Sequence, residues 1–176
     1  MADFYSVSVP VLIRYLGQLG RMLDRLGAFA AAEGRSEEEL LALSLNEGMF
    51  DLRRQVLIAC NFSMRALRPI VPALEAMPHA EGLTLADLKA RIAERAEALG
   101  RLRPEDINGK EELRARERAG EALVELDALT FVTHYALPNF FFHLMTAFAI
   151  LRMAGVPIGK ADFDGFHAYP AGFRFA

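Results

Sequence analysis

Cysteine is nearly absent. Cys60 is the single one in 176 residues, so no intrachain disulfide can form and a reducing cytoplasm is the expected setting. The opening Met1-Ala-Asp-Phe-Tyr-Ser lacks a basic segment followed by an apolar one, so a secretory leader is not expected. Positive charge is not in excess. Twenty Lys and Arg against 23 Asp and Glu give a formal charge of −3 and a pI near 5.8. No basic stripe interleaved with aromatics appears, which argues against a nucleic-acid partner. No phosphate-cradling glycine loop, nucleophile elbow, Cys-x-x-Cys or His-Glu-x-x-His occurs, so no catalytic residue can be named. The most telling absence is local: residues 128–151 contain no formal charge at all.

What is present fits one folded domain, with 53% hydrophobic and 24% charged residues. Val9, Leu12, Ile13, Leu16, Leu19, Leu23, Leu26 and Ala30 form the i, i+3, i+4, i+7 stripe of an amphipathic helix, with Ser8 as its cap and Pro10 in its first turn. Gly17, Gly20 and Gly27 weaken that helix but allow a neighbour to approach closely. Ser36 followed by three glutamates predicts a short capped helix ending near Leu43. A second long helix is predicted over residues 51–67, capped by Asp51, stopped by Pro69 and Pro72, and facing inward through Leu52, Val56, Ala59, Cys60, Ser63 and Leu67. A third runs from Thr84 to near Arg101, and a fourth from near Asp127 to Ala154-Gly155. The link over residues 70–83, with Pro72 and Pro78, spans roughly 45 Å when extended, more than the roughly 30 Å of a twenty-residue helix. Helices two and three can therefore run parallel, which gives an all-α, up-down-down-up four-helix bundle.

The uncharged fourth helix is long enough to cross a bilayer. It also carries His134, Pro138, Asn139 and His143, and no Lys/Arg asymmetry flanks it, so the expectation is a buried bundle helix with no membrane partner. Residues 110–126 are ambiguous. Glu111-Glu-Leu-Arg-Ala-Arg-Glu-Arg118 favours helix, whereas Ala119-Gly120 between two weakly alternating segments suits a β-hairpin. The mixed charges over 111–121 read as a solvated surface. Phe140, Phe141 and Phe142 spread over roughly 200° of helix, so the hairpin, the tail or a second subunit must cover part of them. The chain divides into a bundle over 1–165 and an aromatic tail over 166–176, with Phe166, Tyr169, Phe173 and Phe175 packing on the bundle or a partner. His79 and His167 fall in loops and read as solvated, and Cys60 reads as a buried core residue.

Three segments together, Met49-Phe50-x-Leu52-x-x-Gln55, Leu137-Pro-Asn-Phe-Phe-Phe-His143 and Pro157-Ile-Gly-Lys-Ala-Asp-Phe163, resemble an uncharacterised bacterial family of unknown function in the DinB/YfiT-like superfamily. The likeness runs from Phe4 to Gly165. It implies the DinB-like bundle, favours a small β-hairpin before the last helix, and suggests a homodimer; it brings no known reaction. Many members of that superfamily hold a divalent metal through three histidines, one on the second helix and two as His-x-x-x-His on the last. Carried onto this chain, His143 matches the final ligand and Asn139 stands at the middle one. The second helix has no histidine, only Gln55, Cys60 and Asn61.

Helical geometry agrees with that broken pattern. His134 and His143 lie about 180° apart on a regular helix, so one ion cannot take both, whereas Tyr135, Asn139 and His143 share a face. One imidazole with an amide and a phenol is a poor donor set for zinc, so a divalent metal is disfavoured and no cofactor is named. Two uses remain for His143 and Asn139: buried polar groups bonded to facing helices, or, with Tyr135 and Gln55, the wall of a small-ligand pocket. His134 is expected to act structurally at a kink, since Pro138 removes one backbone hydrogen bond. The reading is a cytoplasmic, dimeric bundle with a small-ligand site. The alternative is a metal-dependent enzyme of thiol transfer or hydrolysis, as some superfamily members are, with a degenerate site.

Overall fold

The computed structural model describes residues 3–74 and 82–170. In chain order it has α1 (Val9–Glu33), α2 (Glu37–Leu41), α3 (Leu52–Arg65), α4 (Leu85–Gly100), α5 (Pro104–Ile107), β1 (Arg114–Ala119), β2 (Ala122–Asp127), α6 (Ala128–Thr130), a π-helical stretch (Phe131–Ala136), α7 (Leu137–Met153) and α8 (Lys160–Asp164). The α6–π–α7 run is one long helix, the fourth of the bundle.

Helix starts follow side-chain chemistry. Asp51 accepts from Arg54 N–H, Thr84 forms a reciprocal capping box with Asp87, and Asp127 accepts from Thr130 N–H. Ser8 departs from expectation. Its hydroxyl donates to the Phe4 carbonyl at 2.6 Å and so leaves the helix N–H groups uncapped, because the preceding turn offers a nearer acceptor.

Side-chain pairs fix the directions of the long helices. Tyr15 meets Phe141 and Phe29 lies against Gly155, so α1 and α7 run parallel. Gln55 meets His143 and Phe62 meets Tyr135, so α3 opposes α7. Gly20 faces Ile92 and Gly27 faces Leu85, so α4 opposes α1. Up-down-down-up follows. A Cβ at Gly27 would stand 3.3 Å from Leu85 and one at Gly20 3.5 Å from Ile92, the close approach expected of these two; Gly17 faces open space, contrary to expectation. The core holds Leu12, Leu16, Leu19, Leu23 and Leu26 from α1, Val56, Ala59 and Cys60 from α3, Leu88, Ile92 and Leu99 from α4, and Phe131, Phe140, Leu144 and Ile150 from the last helix.

Residues 110–126 settle as the hairpin. β1 and β2 pair antiparallel, Arg114 with Asp127 and Ala119 with Ala122, about the left-handed Gly120. Alternation turns Ala115 and Glu117 toward the bundle and Arg116 and Arg118 to solvent.

Where a simple proline kink is expected, the fourth helix instead widens before Pro138. Leu137 N–H reaches back five residues to the Val132 carbonyl, and Pro138, which has no N–H to donate, follows directly after this wider turn. Ala128–Met153 is long and apolar enough to cross a membrane, with mean hydropathy 1.3; 39% of its most apolar stretch is buried against the rest of the fold. Phe140 is fully buried and Phe141 half-buried against Tyr15, while Phe142 remains 58% exposed, so the hairpin does not cover it. From the tail, Phe166 lies under the Arg14 guanidinium and stays largely exposed; Phe173 and Phe175, like His79, lie outside the described residues.

Candidate functional site

The antiparallel packing of α3 on α7 brings Gln55 and His143 together, although 88 positions separate them. His143 Nδ1 lies 2.7 Å from Gln55 Oε1. The Gln55 side chain is 2% exposed, and its Nε2–H donates to the Phe50 carbonyl at 3.3 Å. That second bond fixes which end of the amide faces the imidazole. Oε1 can only accept, so Nδ1 carries the proton and Nε2 keeps its lone pair. Burial, and then the nearby Arg65 cation, hold the His143 pKa below the ordinary histidine value, which keeps the ring neutral at pH 7. Among the described residues, Nε2 has no hydrogen-bond partner.

Aromatic rings frame the imidazole. Phe62 of α3 stacks on it, with centroids 5.9 Å apart and planes 18° from parallel, and Phe142 meets its edge at 5.1 Å. Phe62 also touches Tyr135, and the Arg65 guanidinium sits 4.2 Å from the centre of the Phe62 ring. Arg65 forms an ion pair with Glu117 of β1, whose carboxylate is 12% exposed and also accepts from Tyr135 Oη at 3.2 Å. Burial and the Glu117 charge together raise the Tyr135 pKa, so the phenol stays protonated. Asn139 uses Nδ2 to donate to the Tyr135 carbonyl at 2.7 Å, one turn back.

Four of the five residues anticipated from sequence, Gln55, Tyr135, Asn139 and His143, therefore line one region between α3 and the last helix. His134 does not. It is exposed, and its Nδ1 lies 2.9 Å from Thr133 Oγ1 on its own turn, so it serves neither the site nor the proline. Cys60 is buried, with its thiol pushed up to about 12 by burial, and it lies near Arg91 and Arg95 of α4. Phe62, Arg65 and Glu117 are additional members. Glu117 corrects the expectation that residues 111–121 are uniformly solvated: its place on the inward face of β1 is the signal, legible only once the hairpin is known.

The comparisons with known proteins bear on this arrangement. Residues 4–164 match the model of a family described as a domain of unknown function, DUF1993. The chain belongs to the DUF1993 family. A solved structure, the crystal structure of a DinB family member protein from Shewanella denitrificans, is 31% identical to it, with a TM-score of 0.83 over 95% of this chain and 94% of that one. No curated protein matches. DUF1993 is thus an uncharacterised DinB-like family, as the three sequence segments imply.

The donors present do not fit the metal that the superfamily resemblance implies. Where three imidazoles would be needed, this DUF1993 chain sets one imidazole and two amides, and the Gln55 amide oxygen is already used by His143. Among the described residues, no group of three or more His, Cys, Asp or Glu is placed to hold an ion. The Glu117 carboxylate is likewise spent on Arg65 and Tyr135.

Proposed function

We propose that this DUF1993 protein is a cytoplasmic binding protein that takes a small, neutral, partly aromatic molecule beside His143 and Asn139, and that it works as a homodimer. The observation that carries the reading is the Gln55–His143 hydrogen bond, which leaves a single imidazole lone pair without a partner among the described residues. A lone pair in that state accepts a hydrogen bond from a hydroxyl or amide N–H. Asn139 keeps Oδ1 as a second acceptor, and Phe142 supplies an exposed ring beside them. Pockets that fix a small apolar ligand with a few placed polar groups have this composition.

Dimerisation draws support from the outer face of the last helix. Phe142, Met145 and Met153 are 58%, 48% and 52% exposed and fall within about 80° of its circumference. An apolar strip of that kind usually marks a contact surface.

Chemical-shift mapping with phenol, one ring bearing one hydroxyl donor, tests the ligand reading. Saturable shifts at His143, Asn139 and Tyr135 that vanish in His143→Ala are expected. Shifts absent from these residues, or unchanged in the variant, would contradict it.

A further inference from the structure

The charge of the His143 site is set from outside the last helix. Residues 128–151 carry no formal charge, so any ionic group beside His143 and Asn139 comes from another element. α3 supplies Arg65, whose charge acts on His143. Arg54 shares that face of α3 but leans on Phe50, 5.2 Å from the centre of its ring. The Arg65 guanidinium lies 4.2 Å from the centre of the Phe62 ring, and the same ring stacks on the imidazole. A cation at the wall of a half-buried site attracts anionic ligands.

Here that cation is already answered. Glu117 shares the inward face of β1 with Ala115 and Ala119 and stands opposite Val124 of β2, the one charged side chain among these four. Its carboxylate is 12% exposed, forms the ion pair with Arg65 and accepts from Tyr135 Oη at 3.2 Å. At Tyr135 the two charges act in opposite senses, the carboxylate being the stronger. Desolvating a carboxylate on this small, apolar face is costly, and Arg65 and Tyr135 offset the cost.

We propose that Glu117 determines specificity: by neutralising Arg65 it makes the His143 site select uncharged over anionic aromatic molecules, a selection that rests on the ligand reading above. A ligand carboxylate entering the site finds the guanidinium engaged and a second carboxylate beside it. It gives up its hydration without gaining a free cation. An amide of the same shape gives up far less.

Chemical-shift titration at pH 7 with meta- and para-hydroxybenzoate, each against the matching hydroxybenzamide, tests this. All four carry the phenol hydroxyl, so the ratio of acid to amide affinity isolates the charge. In wild type the amide is expected to bind at least tenfold more tightly. Glu117→Gln keeps an acceptor for Tyr135 and removes the carboxylate, and should move the ratio at least tenfold toward the acid. Arg65→Gln leaves the carboxylate uncompensated and should move the ratio further toward the amide; it remains informative if Glu117→Gln does not fold. Equal affinities of acid and amide in wild type overturn the proposal. So does a ratio that neither variant moves, or that both move the same way. Phenol binding at His143 with such a ratio removes the charge selection alone, whereas no phenol binding there removes the ligand reading and this selection together.

Discussion

A neutral imidazole with its tautomer fixed is the chemical centre of the site, and it has a pH consequence. His143 is harder to protonate in the folded chain than in the unfolded one, mainly because it is buried and secondarily because Arg65 is near. The unfolded state therefore binds more protons as pH falls through the ordinary histidine value, about 6.5, and stability falls with it. In His143→Gln that contribution is gone. Urea unfolding at pH 7 and pH 5 should show a smaller acid-induced loss in the variant than in the wild type. Glu117 yields a second expectation. Replacing it with Ala strands the Tyr135 hydroxyl and removes the Arg65 ion-pair partner, which should cost about 1–3 kcal/mol in urea denaturation at pH 7. Gln55, Tyr135, Asn139 and His143 could be read from the sequence because helical spacing puts three of them on one face and the resemblance points to the fourth. Arg65 and Glu117 could not, since their pairing depends on where a hairpin lies on a bundle.

The last helix shows what local pattern carries and what it hides. Its beginning at Asp127, its end near Gly155 and its buried face follow from capping chemistry and apolar spacing, as do the bounds of α3 and α4. The π-helical stretch does not: the apolar run before Pro138 looks the same for a π turn and an α turn, and only packing against α3 and the hairpin selects between them. The hairpin was evenly balanced for a similar reason, because charged residues of high helix propensity occupy strands whose alternation is weak. Within α7, neighbouring phenylalanines should behave differently. Phe140→Ala removes a fully buried ring and should cost about 3–5 kcal/mol by urea denaturation, whereas Phe142→Ser alters an exposed one and should leave monomer stability within about 0.5 kcal/mol.

The direction of all four long helices was accessible from sequence because the link between the second and third is long enough to cross the bundle. What faces the outer side of the fourth was not, since an exposed apolar strip and a buried one have the same composition. If that strip joins two copies, light scattering at micromolar concentration should give twice the 19.5 kDa chain mass, and Phe142→Ser with Met145→Ser should return it to one chain. A wild-type monomer under those conditions would remove the dimer.

The central claim is that His143 presents one lone pair to a hydrogen-bonding molecule and lacks the companions an ion needs. Elemental analysis after equilibrium dialysis against zinc, nickel and manganese tests it most directly. Far less than one ion per chain is expected, the same in wild type and His143→Ala. One ion retained per wild-type chain and lost in His143→Ala would contradict it.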